Sequence, residues 1–510
     1  MLRRSLLAAG AAFLSAPALP RLTLAAAEPA SFDRYILHVL DRLAFGASTA
    51  DATLVKEIGV ERYIAEQLNP EALGEPPALT QNLAELATQK LDPVQLWREY
   101  GPPRLFQAQP AAATPEEEAA WRQRARIIQD EASAARVWRA LYSPRQLQEV
   151  MVDFWFNHFN VYANKGLDHL WLGAYENEAI RPHALGRFRD LLGATAHHPA
   201  MLFYLDNFQN SAPGTRGPGG RELGINENYA RELMELHTLG VDGGYIQADV
   251  VALAHILTGW SMVRPRFLPP SGNGFAFYPE RHDKGAKTFL GRNIPVGGEE
   301  EGETALDMLS KSPATAMHVA SKLVQYFVAD TPPPALVERV AARFRETDGD
   351  IRAVLTALFA SAEFRDSAGR KFKSPYRYVL SAVRAAGVPV NNVQPLLNQM
   401  AREGQPLYGC ATPDGWKDTK DAWLSPDATT LRVSFAAALS AGQLPLRDAP
   451  PDPDKPVIEA SAPAPEPVDA GALEKLLQPI LTERTRSAVA EASAGLRAGL
   501  ILGGPDFMWR

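Results

Sequence analysis

The chain predicts an all-α fold: a multi-helix globular domain with long Gly/Pro-rich loops and at most a small β-hairpin. Apolar residues recur at helical spacing along most of the 510 residues. No alternation of strands and helices suggests a parallel sheet. The irregular Gly/Pro-rich stretches gather in the middle third of the chain.

The elements follow in order. Residues 1–27 read as an export signal peptide. Met1-Leu-Arg-Arg-Ser-Leu-Leu runs into a short apolar stretch, and Ala25-Ala26-Ala27 fits the small-x-small cleavage rule before Glu28. Arg3-Arg4 before Ser5-Leu6-Leu7 looks like a twin-arginine signal, although Leu2 stands where Ser or Thr is usual and no Lys follows. A general secretory signal is the alternative. The expected location is periplasmic or secreted. The twin-arginine route carries folded proteins, often with a cofactor, and so favours a metal or redox site. No other segment is long and apolar enough to span a bilayer.

Residues 28–448 form the main helical domain. Helical periodicity covers 32–43, 51–68, 116–141, 144–156, 247–257, 313–328, 334–344 and 350–359. Residues 275–278 and 287–291 suit the two arms of a small hairpin. Residues 210–220, 265–274 and 297–302 read as loops, of the kind that bind ligands or merely decorate a surface. A Pro/Ala-rich linker spans 449–469, and a C-terminal helical segment fills 470–510. Its Leu500-Ile-Leu-Gly-Gly-Pro-Asp-Phe507 echoes Leu358-Phe-Ala-Ser-Ala-Glu-Phe364.

Composition excludes several functions. One cysteine, Cys410, leaves no internal disulfide, no Cys-rich zinc site and no haem c motif. Removing the three arginines of 1–27 deepens the formal net charge from −7 to −10. That is a poor match to nucleic acid, which needs a basic surface. There is no P-loop, dinucleotide fingerprint or G-x-S-x-G elbow. A metal ion stays open as a cofactor.

The richest stretch is 224–240. Asn226 suits an N-cap, and Gly240 suits the left-handed residue that ends a helix. On a helical wheel Glu227, Asn228, Arg231, Glu232 and Glu235 share one face, while Tyr229, Leu233, Met234 and His237 share the other. Glu227, Arg231 and Glu235 make an i, i+4 ladder, which ordinarily stabilises a solvated helix. Under a second polar layer the same carboxylates would be desolvated and chemically poised, with Arg231 holding one of them ionised. His237 is either a satisfied core residue or a ligand. The zinc-protease H-E-x-x-H pattern and the di-iron E-x-x-H pair are both missing.

Phe154-Trp-Phe-Asn-His-Phe-Asn-Val-Tyr162 supplies a second candidate. Trp155, Asn157 and Asn160 have the faces and amides that bind sugars, and His158 could ligate or shuttle protons. A plain aromatic core is the competing reading. Asp206 either enters a cleft or caps a turn, and His282 sits in a polar Arg-His-Asp-Lys turn. Thr412-Pro-Asp-Gly-Trp416 reads as a tight turn.

These residues carry a resemblance. The chain is similar to the bacterial exported family called domain of unknown function 1800, through Leu40-Asp-Arg-Leu-Ala-Phe-Gly46, Phe154-Trp-Phe-Asn-His-Phe-Asn-Val161, His198-Pro-Ala-Met201, Tyr204-Leu-Asp-Asn207, 226–244, Leu257-Thr-Gly-Trp260, His282-Asp-Lys-Gly285, Lys373-Ser-Pro375 and Thr412-Pro-Asp-Gly-Trp416. The ordered set spans nearly the whole chain. The resemblance implies a helical, exported protein, a second exported protein encoded beside it, and these motif residues as the ones to test.

The leading expectation is an enzyme acting on an envelope or extracellular polymer or glycan by hydrolysis, with or without a metal. Glu227, Arg231, Glu232, Glu235, His237 and His158 would be catalytic. Trp155, Asn157, Asn160, Asp206 and His282 would bind substrate. The alternatives are a metal-dependent oxidoreductase and a non-catalytic binding or assembly factor for another exported protein.

Overall fold

A computed structural model describes residues 29–102, 114–217, 220–447 and 466–510. Residues 1–27, read above as an export signal, and most of the 449–469 linker lie outside the described residues. Helices dominate, and the strands form two small two-stranded antiparallel sheets. No described helix is long and apolar enough to cross a membrane.

The Gln146–His158 helix lies at the centre. It is apolar on almost every side and therefore enclosed; only Gln148, Asp153 and Asn157 are partly open. Pro29–Leu43, Val60–Leu68, Pro115–Tyr142 and the wide turn Tyr175–Ile180 pack around it. The 28-residue Pro115–Tyr142 helix begins at a capping box between Thr114 and Glu117, with Pro115 at its first position and three glutamates at its positive end. Pro375–Ala386 is a second enclosed helix and carries Arg377 inward.

Several elements depart from the expected boundaries for local reasons. The 51–68 helix is two helices, Thr49–Ile58 and Val60–Leu68. Gly59 at φ +87° ends the first by donating to the Val55 carbonyl. The expected 297–302 loop is only Gly297 and Gly298; from Glu299 the chain is helical, in the Glu299–Ser310 helix whose first turn is acidic. Gly302 sits inside it because a Cβ there would lie 2.1 Å from the Trp260 ring. The two expected hairpin arms do not pair with each other. Phe275–Phe277 pairs with Trp260–Met262, and Lys287–Phe289 turns back on Arg292–Ile294.

The C-terminal segment contains Ala470–Leu477, Glu483–Glu491 and Ala494–Gly503. Leu473, Leu477, Ile501, Leu502 and Phe507 join the main hydrophobic core. The backbones of Lys371 and Arg510 exchange hydrogen bonds of 3.1 and 2.7 Å. The two echoed sequences share a local shape, a helix followed by one short turn of helix, at Ala362–Arg365 and Pro505–Met508.

Candidate functional site

The acidic strip does not stay regular to its end. Asn228–Glu232 is α-helical, but Leu233–His237 widens into a π-turn. On the outer face the ladder forms: Arg231 lies 3.1 Å from Glu227 and 3.6 Å from Glu235. Gln247 donates to Glu227 at 2.7 Å, and Tyr245 bonds Glu235. These carboxylates are half-buried, and none of Glu227, Glu232 and Glu235 pairs with a histidine among the described residues. Burial, then Glu235, pushes Glu232 up.

His237 turns the other way and is buried. Its ring lies 6.2 Å from that of His158, and His318 of the Pro313–Phe327 helix lies 6.0 Å from His158 on another side. The wide turn explains the meeting. A helix end leaves carbonyls without donors, and here two imidazoles supply them. His318 Nε2 donates to the Leu236 carbonyl and His158 Nε2 to the His237 carbonyl, both at 3.0 Å. A carbonyl only accepts, so each Nε2 carries the proton and each Nδ1 keeps its lone pair. Neither Nδ1 has a partner among the described residues, and His237 Nε2 is buried without one. Burial holds all three rings neutral. It takes His158 well below the usual range with help from His318, His237 to about 3 and His318 to about 4.

His318 also begins a polar stripe on an apolar helix. His318, Lys322 and Tyr326 stand at i, i+4 and i+8 and so share one side. The 410–419 loop faces them. Gly415 has φ +70°, and a Cβ there would meet the Asn157 backbone oxygen at 2.2 Å. Only glycine permits that approach. The Asn157 amide grips Trp416, donating to its carbonyl at 2.9 Å and accepting its N–H at 2.7 Å. Asn160 donates to the carbonyls of Cys410 and Thr412. The two amides therefore hold the loop in place.

Between stripe and loop lies a cavity of about 270 Å³, walled by His158, Lys322, Asp414, Trp416, Lys417 and Asp418. A smaller chamber of about 50 Å³ shares Asn157, Tyr326 and Trp416 with it. Arg136 anchors that chamber. It pairs with Asp153 at 2.7 Å and Glu176 at 3.2 Å, inside a box of Phe156, Tyr376 and Tyr408 rings. Tyr326 accepts from Arg377 at 2.8 Å and donates to Asp153 at 3.0 Å.

The charges of the larger cavity are unevenly matched. Lys417 holds Asp414 at 2.6 Å, and Lys371 holds Asp418 at 3.1 Å. Lys322 is half-buried and has no hydrogen bond or ion pair among the described residues. Burial, then Lys417, lowers its proton affinity. Among the described residues no three His, Cys, Asp or Glu side chains are arranged to hold a metal ion.

Of the residues singled out from sequence, the fold brings together His158 and His237, with Asn157 and Asn160 supporting the opposite wall. Glu227, Arg231, Glu232 and Glu235 stay outside the cavity lining. Trp155 is enclosed and gives its N–H to the Ala184 carbonyl, which makes it core rather than a binding face. Asp206, at φ +61°, pairs with Lys165 at 2.8 Å and precedes the Asn207–Gln209 turn. His282 is buried beside Glu301 at 3.4 Å, a carboxylate that Lys287 holds at 2.7 Å. Sequence reasoning missed His318, Lys322, Arg136 and Asp418. For His318 and Lys322 the available signal was polar residues spaced by four on a helix otherwise apolar; Arg136, on a charged helix, and Asp418, in a loop, carried no such signal.

No curated protein and no solved structure matches the chain. One family model, described as Protein of unknown function (DUF1800), matches residues 38–509. That match covers nearly the whole length, and the chain therefore belongs to the DUF1800 family.

Proposed function

We propose that the protein is an exported enzyme that hydrolyses an envelope or extracellular polymer or glycan in the Lys322 cleft. The observation that carries this reading is a half-buried amine without an ion pair or hydrogen bond among the described residues, in a cavity it shares with neutral His158. A lysine whose proton affinity burial lowers gives up its proton more readily than a free amine and can act as general acid and base. His158 Nδ1 can accept a hydrogen bond from a substrate hydroxyl or the attacking water. Trp416 offers a ring face, and Lys417 with Asp414 offers a donor beside an acceptor. Lys322, the one lining cation without an ion pair among the described residues, offers a charge to an anionic group of the substrate.

The test is release of fragments from peptidoglycan and a panel of labelled glycans by the full chain. Lys322→Met should lower kcat by about 10²–10⁴-fold while far-ultraviolet circular dichroism is unchanged. His158→Gln should also impair turnover. Full turnover by both variants would end this reading.

One observation favours a second role for the outer face. Val241 and Ile246 are 69% and 65% exposed and lie just beyond the half-buried Glu227–Arg231–Glu235 ladder in the chain. Exposed apolar residues near an acidic strip suit docking of another exported protein. Glu227→Lys with Ile246→Asp would then abolish co-purification of that partner and leave turnover intact.

A further inference from the structure

The Pro313–Phe327 helix carries a single charged side chain, Lys322, and no carboxylate stands a turn away from it on that helix. The helix therefore supplies no i, i+4 partner. The carboxylates that wall the cavity are engaged elsewhere. Asp414 holds Lys417 at 2.6 Å, and Asp418 holds Lys371 at 3.1 Å and Arg510 at 3.4 Å. Lys322 makes no hydrogen bond or ion pair among the described residues. Its charge is nevertheless felt on both sides of the cavity. Lys417 and Asp414 act on it from the loop, and it acts on His158 and His318. The amine thus stands between the walls of a cavity of about 270 Å³, whose apolar lining includes Phe154, Leu236 and Trp416.

A protonated amine does not attack. A lysine that is desolvated beside a second cation holds its proton less tightly, and its lone pair becomes available as a nucleophile. Lys322 meets both conditions: burial lowers its proton affinity most, and Lys417 is the next cause. No neighbour competes for the lone pair, since nothing described is bonded to the nitrogen. The cavity is small, just under the range of about 300–1,000 Å³ that holds drug-sized ligands. Its Lys417–Asp414 pair offers a donor and an acceptor to a hydroxylated ligand.

We propose that Lys322 is a nucleophile that condenses reversibly with a small hydroxyaldehyde, either free or as the open form of a sugar's reducing end. The lone pair of Nζ attacks the carbonyl carbon and a C–N bond forms. The carbonyl oxygen takes a proton and becomes the hydroxyl of a carbinolamine. A second proton carries that oxygen away as water, and a C=N bond remains. From the ammonium form, two protons leave the nitrogen and two reach the oxygen, so one ammonium and one aldehyde give one protonated imine and one water. No oxidant or reductant is consumed. Lys417 and Asp414 are the donor and acceptor through which these protons pass. This chemistry rests on the reading of the Lys322 cleft as the working site, and not on hydrolysis as the reaction.

The test is reductive trapping on the full chain. Glyceraldehyde and cyanoborohydride are added at closely spaced pH values from about 6 to 10, and the alkylated lysines are located by peptide mass mapping. Hydride from the reagent fixes the imine as a secondary amine. Lys322 should be alkylated at least about tenfold faster than exposed Lys311, which precedes the same helix, and the difference should close toward the ordinary lysine pKa of about 10.4. Lys417→Met, which removes the neighbouring cation, should move the Lys322 profile to higher pH. Competition by N-acetylglucosamine identifies a sugar end as the aldehyde source; its failure beside glyceraldehyde trapping identifies the free aldehyde, and either supports the imine. Lys322→Arg should lose the label; should that change prevent folding, the relative rates within the native chain decide. Fragment release is measured separately. Trapping without hydrolysis keeps the imine and ends the hydrolase reading, and hydrolysis without trapping does the reverse. Alkylation of Lys322 no faster than Lys311 at every pH, or a profile unmoved by Lys417→Met, would overturn the inference.

Discussion

At Lys322 stability and chemistry pull apart. The fold lowers the proton affinity of this amine below its unfolded value, so at neutral pH the charged form is less favourable in the folded chain than in the unfolded one. Lys322→Met should therefore raise stability by about 1 kcal/mol while turnover is lost. The gain should be full below the folded pKa of the amine and shrink above it, where the native lysine is neutral too. Urea unfolding at pH 7 checks the sign: a fall in the midpoint would mean that the amine has a structural partner and that the cleft reading starts from the wrong charge. Lys322 was hidden in the sequence because a single lysine on an apolar helix ordinarily marks the solvent side. His158 and His237 were legible as chemical candidates. Their meeting was not, because it is made through a widened turn that no wheel predicts and through His318, a residue about eighty positions away. The Glu227–Arg231–Glu235 ladder followed the ordinary expectation for i, i+4 charges.

Elements were more legible than sites because helix periodicity is local. Helices such as Pro115–Tyr142 and Pro313–Phe327 begin where proline and capping residues predict. Strand pairing was less legible. Phe289 and Arg292 are joined by Leu290 at φ +48° and Gly291 at φ +72°, a two-residue turn in which leucine takes a conformation it rarely adopts. Gly302 shows tertiary packing overriding propensity. In an isolated helix Gly→Ala stabilises by about 1 kcal/mol. Here the added carbon would meet Trp260 at 2.1 Å, and that ring is fully buried and also stacked on His197. Gly302→Ala should instead destabilise by about 1–3 kcal/mol and shift Trp260 fluorescence. A gain in stability would show that the ring has room to move.

Across the whole molecule the imidazoles act together. Burial keeps His38, His198 and His237 near a pKa of about 3 and His318 near about 4, with His158 also far below the unfolded value of about 6.5. As pH falls below that value the unfolded chain takes up protons that the folded chain refuses, and stability falls. Each such group contributes about 1.4 kcal/mol per pH unit. Glu178 works the other way. Burial, then Asp92, pushes it up to about 7, so the folded carboxyl takes its proton first and offsets one imidazole over the same window. Asp168, which burial raises well above the usual carboxylate range, acts in the sense of Glu178, whereas His169 and His183, lowered by burial, act with the other imidazoles. The net expectation is a loss of stability on acidification from about pH 6 to pH 5, above the range of ordinary carboxylates. Urea midpoints at closely spaced pH values measure it. His318→Gln, which keeps a donor for the Leu236 carbonyl, should remove about one proton from the slope. A flat profile would mean that these rings are hydrated and charged in the folded chain. The cleft would then lack the neutral wall on which the proposed proton chemistry depends, so the same titration bears on stability and on the proposed function.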